Sequence, residues 1–280
     1  MNNSMITAMS SMNGLQQRLD LLAENVANVN TAGYKRKQAT FSDLLRTVQQ
    51  QPEAFERPGR LTPGGFSQGW GARIHMLQPD LSQGALKETG LSTDVAIEGN
   101  ALFEVVTDAE GTRAFTRNGA FQLTLNGNGD TILATGDGYP VVAVMTGADG
   151  QTVEGNVVLP PNCDLRIYPD GRLEAVNAEG TAVGLGRLKV VEPTKPALLA
   201  AVQDNLFAVP NGVNRDDVLT DIVPGEGNRI SLHQGYLEQS NVSLVDELTE
   251  LINVQRAYQL SARALSSSDM MMGMANSLRG

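Results

Sequence analysis

The chain has 280 residues, of which 41% are hydrophobic, and it carries a net charge of −10 at neutral pH. This hydrophobic fraction is large enough to build a core, which excludes a wholly disordered chain. The acidic balance argues against nucleic acid or an anionic membrane as the main partner, and the single cysteine excludes an internal disulfide. No apolar run approaches the roughly 18 residues that a membrane span needs, so membrane insertion is not expected.

Residues 1–45 predict a long N-terminal helix followed by a turn. Apolar residues alternate three and four positions apart, which is the spacing of a coiled-coil seam. The seam residues that we expect to form an interface are Met5, Met12, Leu15, Leu19, Leu22 and Val26. The helix is expected to end between Asn28 and Gly33, where turn-forming residues cluster.

Residues 46–90 are rich in Gln, Gly, Pro and Ser, and they predict an extended connector with little core of its own. Residues 91–230 contain short apolar runs separated by turn signals such as Asn118-Gly119. All twelve prolines lie between Pro52 and Pro224, and proline is unfavourable inside long helices. The middle of the chain therefore predicts an all-β domain inserted between two helical ends.

Residues 231–280 predict a second long helix, beginning after Ser240-Asn241. Its heptad row and the adjoining seam position supply the expected interface residues Leu244, Leu248, Leu251, Tyr258, Leu265 and Met272. A second apolar row, on another face, consists of Ala257, Ala264, Met271 and Leu278. A helix with two apolar faces needs two partners, and the chain offers one other long helix. The predicted fold class is α+β, with the two terminal helices forming a coiled-coil-like unit that can also contact other copies of the chain.

The sequence offers little material for catalysis or ligand binding. His75 and His233 are the two histidines and Cys163 is the one cysteine, and none of them lies in a catalytic or metal-binding motif. We therefore expect no cofactor, no metal and no small-molecule substrate, and an enzyme is the least favoured class of function.

Four motifs, in order along the chain, resemble those of the bacterial flagellar rod and hook proteins. They lie at residues 22–36, 94–100 and 115–121, and at residues 236–244 together with Gln255-Arg256-Ala257-Tyr258. The motif residues at the two ends are Asn25, Asn28, Asn30, Thr31, Gly33, Tyr34, Ser240, Asn241, Val242, Gln255 and Arg256. Glu24 departs from the asparagine that is usual in the family, and the length of the chain favours a rod protein over a hook protein.

The resemblance implies a structural subunit of the flagellar basal-body rod, which stacks helically through its terminal helices into a hollow shaft that transmits torque. Its implied partners are copies of itself, other rod and hook subunits, and the flagellar type III export apparatus. It would be exported without a cleaved signal peptide, lie in the cell envelope outside the cytoplasm, and order its terminal helices on assembly. The alternatives are a hook-type or hook-associated subunit, and a soluble secreted binding module whose helices close into a hairpin.

Overall fold

The computed structural model describes the whole chain except residues 1, 44–45, 51–64, 70–71, 109–110, 128, 147–151, 204, 226, 228 and 279–280. Long helices occupy both ends, α1 (Asn2–Ala27) and α3 (Leu244–Ser277), and a one-turn helix, α2 (Arg215–Val218), lies between them. The prediction of an α+β fold with a helix at each end is confirmed. Among the described residues, no helix is long and apolar enough to span a membrane.

The chain divides into two compact units. The helical unit comprises Met1–Ala27, Lys37–Gln78 and Ser243–Gly280, and the β-rich unit comprises Asn28–Arg36 and Pro79–Val242. The backbone therefore passes from one unit to the other four times, immediately after residues 27, 36, 78 and 242.

The helical unit contains α1, α3 and short paired strands. These strands are β1 (Lys37–Asp43), β2 (Arg46–Gln50), β3 (Gly65–Gly69) and β4 (Ala72–Pro79). Strand β1 pairs with β4, and β2 pairs with β3 in an antiparallel ladder. The segment 46–90, predicted to be an extended connector, thus contains paired strands in its described part, because extended polar segments also satisfy their backbone groups by pairing.

The β-rich unit is built from antiparallel ladders. Its strands are β5 (Leu86–Glu88), β6 (Val95–Glu98), β7 (Leu102–Val106), β8 (Arg113–Thr116), β9 (Phe121–Leu125), β10 (Thr131–Thr135), β11 (Val142–Thr146), β12 (Thr152–Asn156), β13 (Val158–Leu159), β14 (Cys163–Ile167), β15 (Arg172–Asn177), β16 (Ala182–Leu188), β17 (Val190–Pro193), β18 (Ala200–Gln203), β19 (Leu206–Ala208), β20 (Leu219–Ile222), β21 (Ser231–Gln234) and β22 (Tyr236–Glu238). The three larger sheets have the orders β18-β19-β8-β7-β17-β20, β12-β11-β16-β15-β14 and β13-β10-β9, and two further pairs are β21-β6 and β22-β5.

Strand β7 shows how the core of the β-rich unit is organised. Successive side chains of a strand point to opposite faces, and both faces of β7 are buried. Phe103 belongs to the main core, where its ring meets that of Phe121 edge to face at 5.1 Å between centroids. Leu102 belongs to a second, smaller core with Phe115 and Phe207. The run of apolar residues in β7 is interrupted only by Glu104, which is buried and pairs with Arg113, Lys189 and Arg215.

Candidate assembly interface and motif junctions

One side of α1 is covered within the chain, by α3 and β1. Leu22 is buried, and the other predicted seam residues are half-buried: Met5, Met12, Leu15, Leu19 and Val26. Ile6 and Met9, which lie off the seam, are exposed. The structure therefore places all six predicted α1 residues on the covered side of the helix.

The covered side of α3 differs from the predicted seam. Leu251, Tyr258, Leu265 and Met272 are half-buried, as the heptad row predicts. Leu244 and Leu248 are exposed, at 43% and 44%, and do not lie on the covered side. The second covered row is one residue earlier than predicted, and consists of Glu247, Val254, Ser261 and Ser268.

Helices α1 and α3 pack against each other within the single chain. Arg18 of α1 forms an ion pair with Glu250 of α3. The second apolar row of α3 nevertheless remains open, since Ala264, Met271 and Leu278 are exposed. One helix pair covers one face of α3 and leaves the other available to a further partner.

A buried amide joins three parts of the helical unit. The side-chain Nδ2 of Asn25, at the end of α1, donates to the backbone oxygen of Lys37 at 3.0 Å, and its Oδ1 accepts from the Lys37 backbone N–H at 3.0 Å. The same Nδ2 donates to Glu247 Oε2 in α3 at 3.2 Å. Asn25 and Glu247 are both fully buried, so their polar atoms depend on these bonds.

The N-terminal motif continues as a turn in the β-rich unit. The Thr31 hydroxyl donates to Asn28 Oδ1 at 3.0 Å, and Asn30 is exposed. Gly33 has φ of +69°, and its N–H donates to the Glu238 backbone oxygen at 2.8 Å. Tyr34 is buried immediately after it.

A buried ion cluster follows the turn. Lys35 Nζ lies 2.7 Å from Glu238 Oε1, and Arg117 pairs with the other carboxylate oxygen. The carboxylate also accepts from the Gly84 backbone N–H at 2.7 Å, while Lys35 donates to the Ser82 backbone oxygen at 2.7 Å. Burial lowers the pKa of Lys35 and of Arg117, although the attraction of Glu238 opposes this. The cluster joins the N-terminal motif, the motif at 115–121 and β22.

The C-terminal motif is held by a second amide. Asn241 Oδ1 accepts from the Arg36 backbone N–H at 2.7 Å, and its Nδ2 donates to the Asp80 backbone oxygen at 2.8 Å. Ser82 accepts two further bonds from the same Nδ2, at 3.0 and 3.1 Å. Ser240 accepts from the Val242 N–H at 3.3 Å. Helix α3 begins at Leu244, later than predicted, because these residues hold the backbone in an extended connection.

The remaining motif residues lie on the helix surface. Gln255 and Arg256 of α3 are exposed, so the structure does not bring them into the motif junctions.

Three important residues of these junctions were missed by the sequence reasoning. Glu238 and Glu247 are charged residues, which are seldom buried, and nothing local along the chain marks them as buried. Val254 falls outside both predicted rows because its neighbours on the covered row are polar. The one available signal was position: Glu238 lies within the C-terminal motif.

The described residues contain no candidate metal site. No three His, Cys, Asp or Glu side chains among them are placed to hold a metal ion. A cleft of about 830 Å³ in the β-rich unit is lined by both acidic and basic side chains. Two of these, Lys189 and Glu154, already pair with each other. The chemistry of the molecule is thus dominated by apolar helix faces and buried polar junctions.

Comparison with known proteins agrees with these features. A model described as "Flagella basal body rod protein" matches residues 5–35, "Flagellar hook protein FlgE/F/G D1 domain" matches residues 96–175, and "Flagellar basal body rod FlgEFG protein C-terminal" matches residues 233–278.

Curated relatives match the chain over its length. The flagellar hook-basal body complex protein FlhP of Bacillus subtilis is 34% identical, covering all of both chains. The flagellar basal-body rod protein FlgG of Borreliella burgdorferi is 31% identical over 100% of this chain and 99% of its own. FlgG of Bacillus subtilis is 33% identical over 96% of each. On this full-length similarity, together with the helix and motif junctions described above, the chain belongs to the flagellar basal-body rod protein family.

Proposed function

We propose that this chain is a structural subunit of the flagellar basal-body rod, and that it assembles through its terminal helices with copies of itself and with other axial proteins. The observation that carries the proposal is the open apolar surface of α3. Val245 is 74% exposed, Leu248 44% and Ile252 48%, although α1 already covers another face of the same helix. Contiguous exposed apolar side chains are typical of a surface that another protein covers.

The charge distribution supports helix-mediated assembly. The helical unit contains nine Lys and Arg residues and nine Asp and Glu residues, so its net charge is zero. The β-rich unit therefore carries the whole net charge of −10. Neighbouring copies can therefore bring their helical units together without net charge repulsion, whereas their β-rich units repel one another. This arrangement favours contacts between helices over contacts between β-rich units.

The proposed mechanism is mechanical. Helices α1 and α3 form a coiled-coil-like unit, with the β-rich unit as an insertion between them, and stacked copies make a hollow shaft that transmits torque. The interface uses the open sides of the helices, including Leu244 and Leu248, while the covered seam stabilises each subunit. Export by the flagellar type III apparatus without a cleaved signal peptide, and a place in the envelope outside the cytoplasm, complete the proposal.

The test is the variant Leu248→Asp, expressed in cells that lack the native copy. Leu248 is exposed in the single chain, so a charge there leaves the subunit folded. Assembly would bury the new carboxylate in an apolar interface without a partner, which destabilises the assembled state. We expect loss of swimming and of external flagella. Leu125→Asp, the same change at a 74% exposed leucine of the β-rich unit, is the matched control and should swim normally.

The same assay can contradict the proposal. Normal flagella in cells that carry Leu248→Asp would exclude this face of α3 from the interface. Substitution of Leu19 or Leu251 by Asp is also expected to stop swimming, but both residues lie on the half-buried seam and a charge there also disturbs the helix pair.

The closed pairing of α1 with α3 in one chain favours a second candidate, a self-contained binding module. That candidate requires a monomer at every concentration and flagella that form normally when the gene is deleted. Deletion followed by electron microscopy of the cells distinguishes the two functions.

A further inference from the structure

The four backbone crossings between the two units are flanked by two buried or half-buried asparagine side chains. Asn25 lies in the helical unit, two residues before that unit's first segment ends at residue 27. Asn241 lies in the β-rich unit, one residue before that unit ends at residue 242. The hydrogen bonds described above join each of them to residues of its own unit. The two side chains therefore act in different units.

The Asn25 clamp, defined as Asn25 with Lys37 and Glu247, ties together chain segments at three crossings. Asn25 is at the end of α1, Lys37 is the first residue after the second crossing, and Glu247 lies in the first turn of α3. The two bonds between the amide and the Lys37 backbone, both 3.0 Å, reproduce the paired donor and acceptor of a strand neighbour.

The Asn241 clamp, defined as Asn241 with Arg36, Asp80 and Ser82, performs the same task in the β-rich unit. Arg36 is the last residue before the second crossing, and Asp80 is the second residue after the third. A backbone bond of 2.7 Å from the Asp80 N–H to the Arg36 oxygen closes the group. Between them, the two clamps reach segments at all four crossings.

We propose that Asn25 and Asn241 are positioning residues that hold the crossings in register, so that a load on the chain is shared among the four backbone segments. This inference rests on the proposed function, because a rod subunit is a part that works under torque. Without these hydrogen bonds, force on one backbone segment would extend that segment alone. Hydrogen bonds between adjacent segments must break before one segment can extend separately, so the segments resist the force together.

The first test measures hydrogen exchange by mass spectrometry on the purified full chain. Asn→Asp keeps the size of the side chain but replaces the donating amide with a carboxylate, which repels the backbone oxygens that Asn241 contacts. In Asn241→Asp we expect amides near Arg36 and at 79–84 to exchange about tenfold faster, with β7 unchanged. Asn25→Ser, which removes the amide without placing a second carboxylate beside the buried Glu247, should do the same near Lys37. Asn30→Asp, an exposed asparagine of the same motif, is the matched control and should change neither segment.

The second test measures swimming of cells that carry each variant in media of increasing viscosity. We expect Asn241→Asp and Asn25→Ser to assemble flagella and to swim at low viscosity, but to fail at a viscosity where the wild type and Asn30→Asp still swim. A general loss of stability would reduce assembly at every viscosity and would not produce this dependence on load.

Either of two results overturns the inference: unchanged exchange at the crossings, or faster exchange with the same load dependence as the wild type. If Asn241→Asp also loses protection in β7, Asn241→Ser replaces it and is judged by the same two criteria. Failure of the proposed function looks different, because deletion of the gene would then leave flagella intact while the exchange result still stands.

Discussion

Two independent features of the structure require glycine at position 33. Its φ of +69° lies in the left-handed region, and a Cβ built there would stand 2.5 Å from the backbone nitrogen of Asn118. Two residues after the glycine, Lys35 of the same motif is buried together with Arg117 and Glu238, which belong to other motifs. At the scale of single residues, the motif therefore encodes close approach and buried charge rather than a reactive site.

Substitution of Gly33 by Ala should destabilise the β-rich unit by about 3 kcal/mol or more, measured by chemical denaturation. Gly90→Ala is the matched control, because Gly90 also has a positive φ, +73°, but nothing lies within 4 Å of its Cβ position. Gly90→Ala should lower the free energy of unfolding by about 1–2 kcal/mol, because it introduces backbone strain without a steric contact. Equal costs would show that the contact with Asn118 is unimportant.

Substitution of Glu238 by Gln leaves Lys35 and Arg117 buried without their carboxylate and should cost about 3–5 kcal/mol near neutral pH. Glu179→Gln, at an exposed site, should have almost no effect. Chemical denaturation monitored by circular dichroism measures both.

The cost of Glu238→Gln should also depend on pH. Burial already lowers the pKa of Lys35 below its ordinary value of 10.5, and loss of Glu238 lowers it further. Between the lowered pKa and the ordinary one, the unfolded chain binds more protons than the folded chain, so the free energy of unfolding rises with pH. The deficit of the variant should be smaller at about pH 9.5 than at about pH 7, without vanishing, because Arg117 stays charged. A deficit that grows over this interval would contradict the account.

At the scale of elements, α1 and α3 differ in how well their sequences define a covered face. Helix α1 has one apolar seam, so the spacing alone selected the six residues that the structure covers. Helix α3 offers apolar residues on neighbouring rows, and the row with Leu248 and Ala262 is more apolar than the covered row with Glu247 and Ser261. Hydropathy therefore selected the row beside the covered one, since Glu247 is buried by its bond with Asn25 rather than by apolar character.

Local sequence also fails to reveal the long-range contacts of the segments that connect the helices to the β-rich unit. The sequence marks Asn25 and Asn241 as motif residues, but the atoms they bind belong to backbone that is distant along the chain, and no local pattern reveals it. Strands β2 to β4 were predicted as a connector because their polar composition resembles a linker, and only backbone pairing distinguishes the two.

Substitution of Val254 by Ala tests the corrected face of α3. Val254 is 3% exposed, so loss of two methyl groups there should destabilise the helical unit by about 1–3 kcal/mol. Val245→Ala, the same change at a 74% exposed site of the same helix, should stay within about 0.5 kcal/mol of the wild type. Loss of helical circular dichroism on heating measures both, and equal midpoints would contradict the assignment.

At the scale of the whole molecule, apolar surface and charge are separated between the two units. The helical unit has balanced charge and open apolar residues on both helices, whereas the β-rich unit has a self-contained core and the whole of the net negative charge. Such a division suits a subunit that assembles through one unit and keeps the other folded by itself. Family membership and the open helix faces lead independently to the same proposal.

Methionine oxidation tests this central claim most directly, because exposed methionines already mark the open helix faces. Met9, Met271 and Met274 are exposed in the single chain, and exposed thioethers are oxidised faster than covered ones. The free chain and isolated flagellar basal bodies would be treated with hydrogen peroxide and compared residue by residue by mass spectrometry. If the terminal helices form the assembly interface, these three residues oxidise rapidly in the free chain and are strongly protected in the basal body. Equal oxidation in both states would show that the terminal helices do not form the assembly interface.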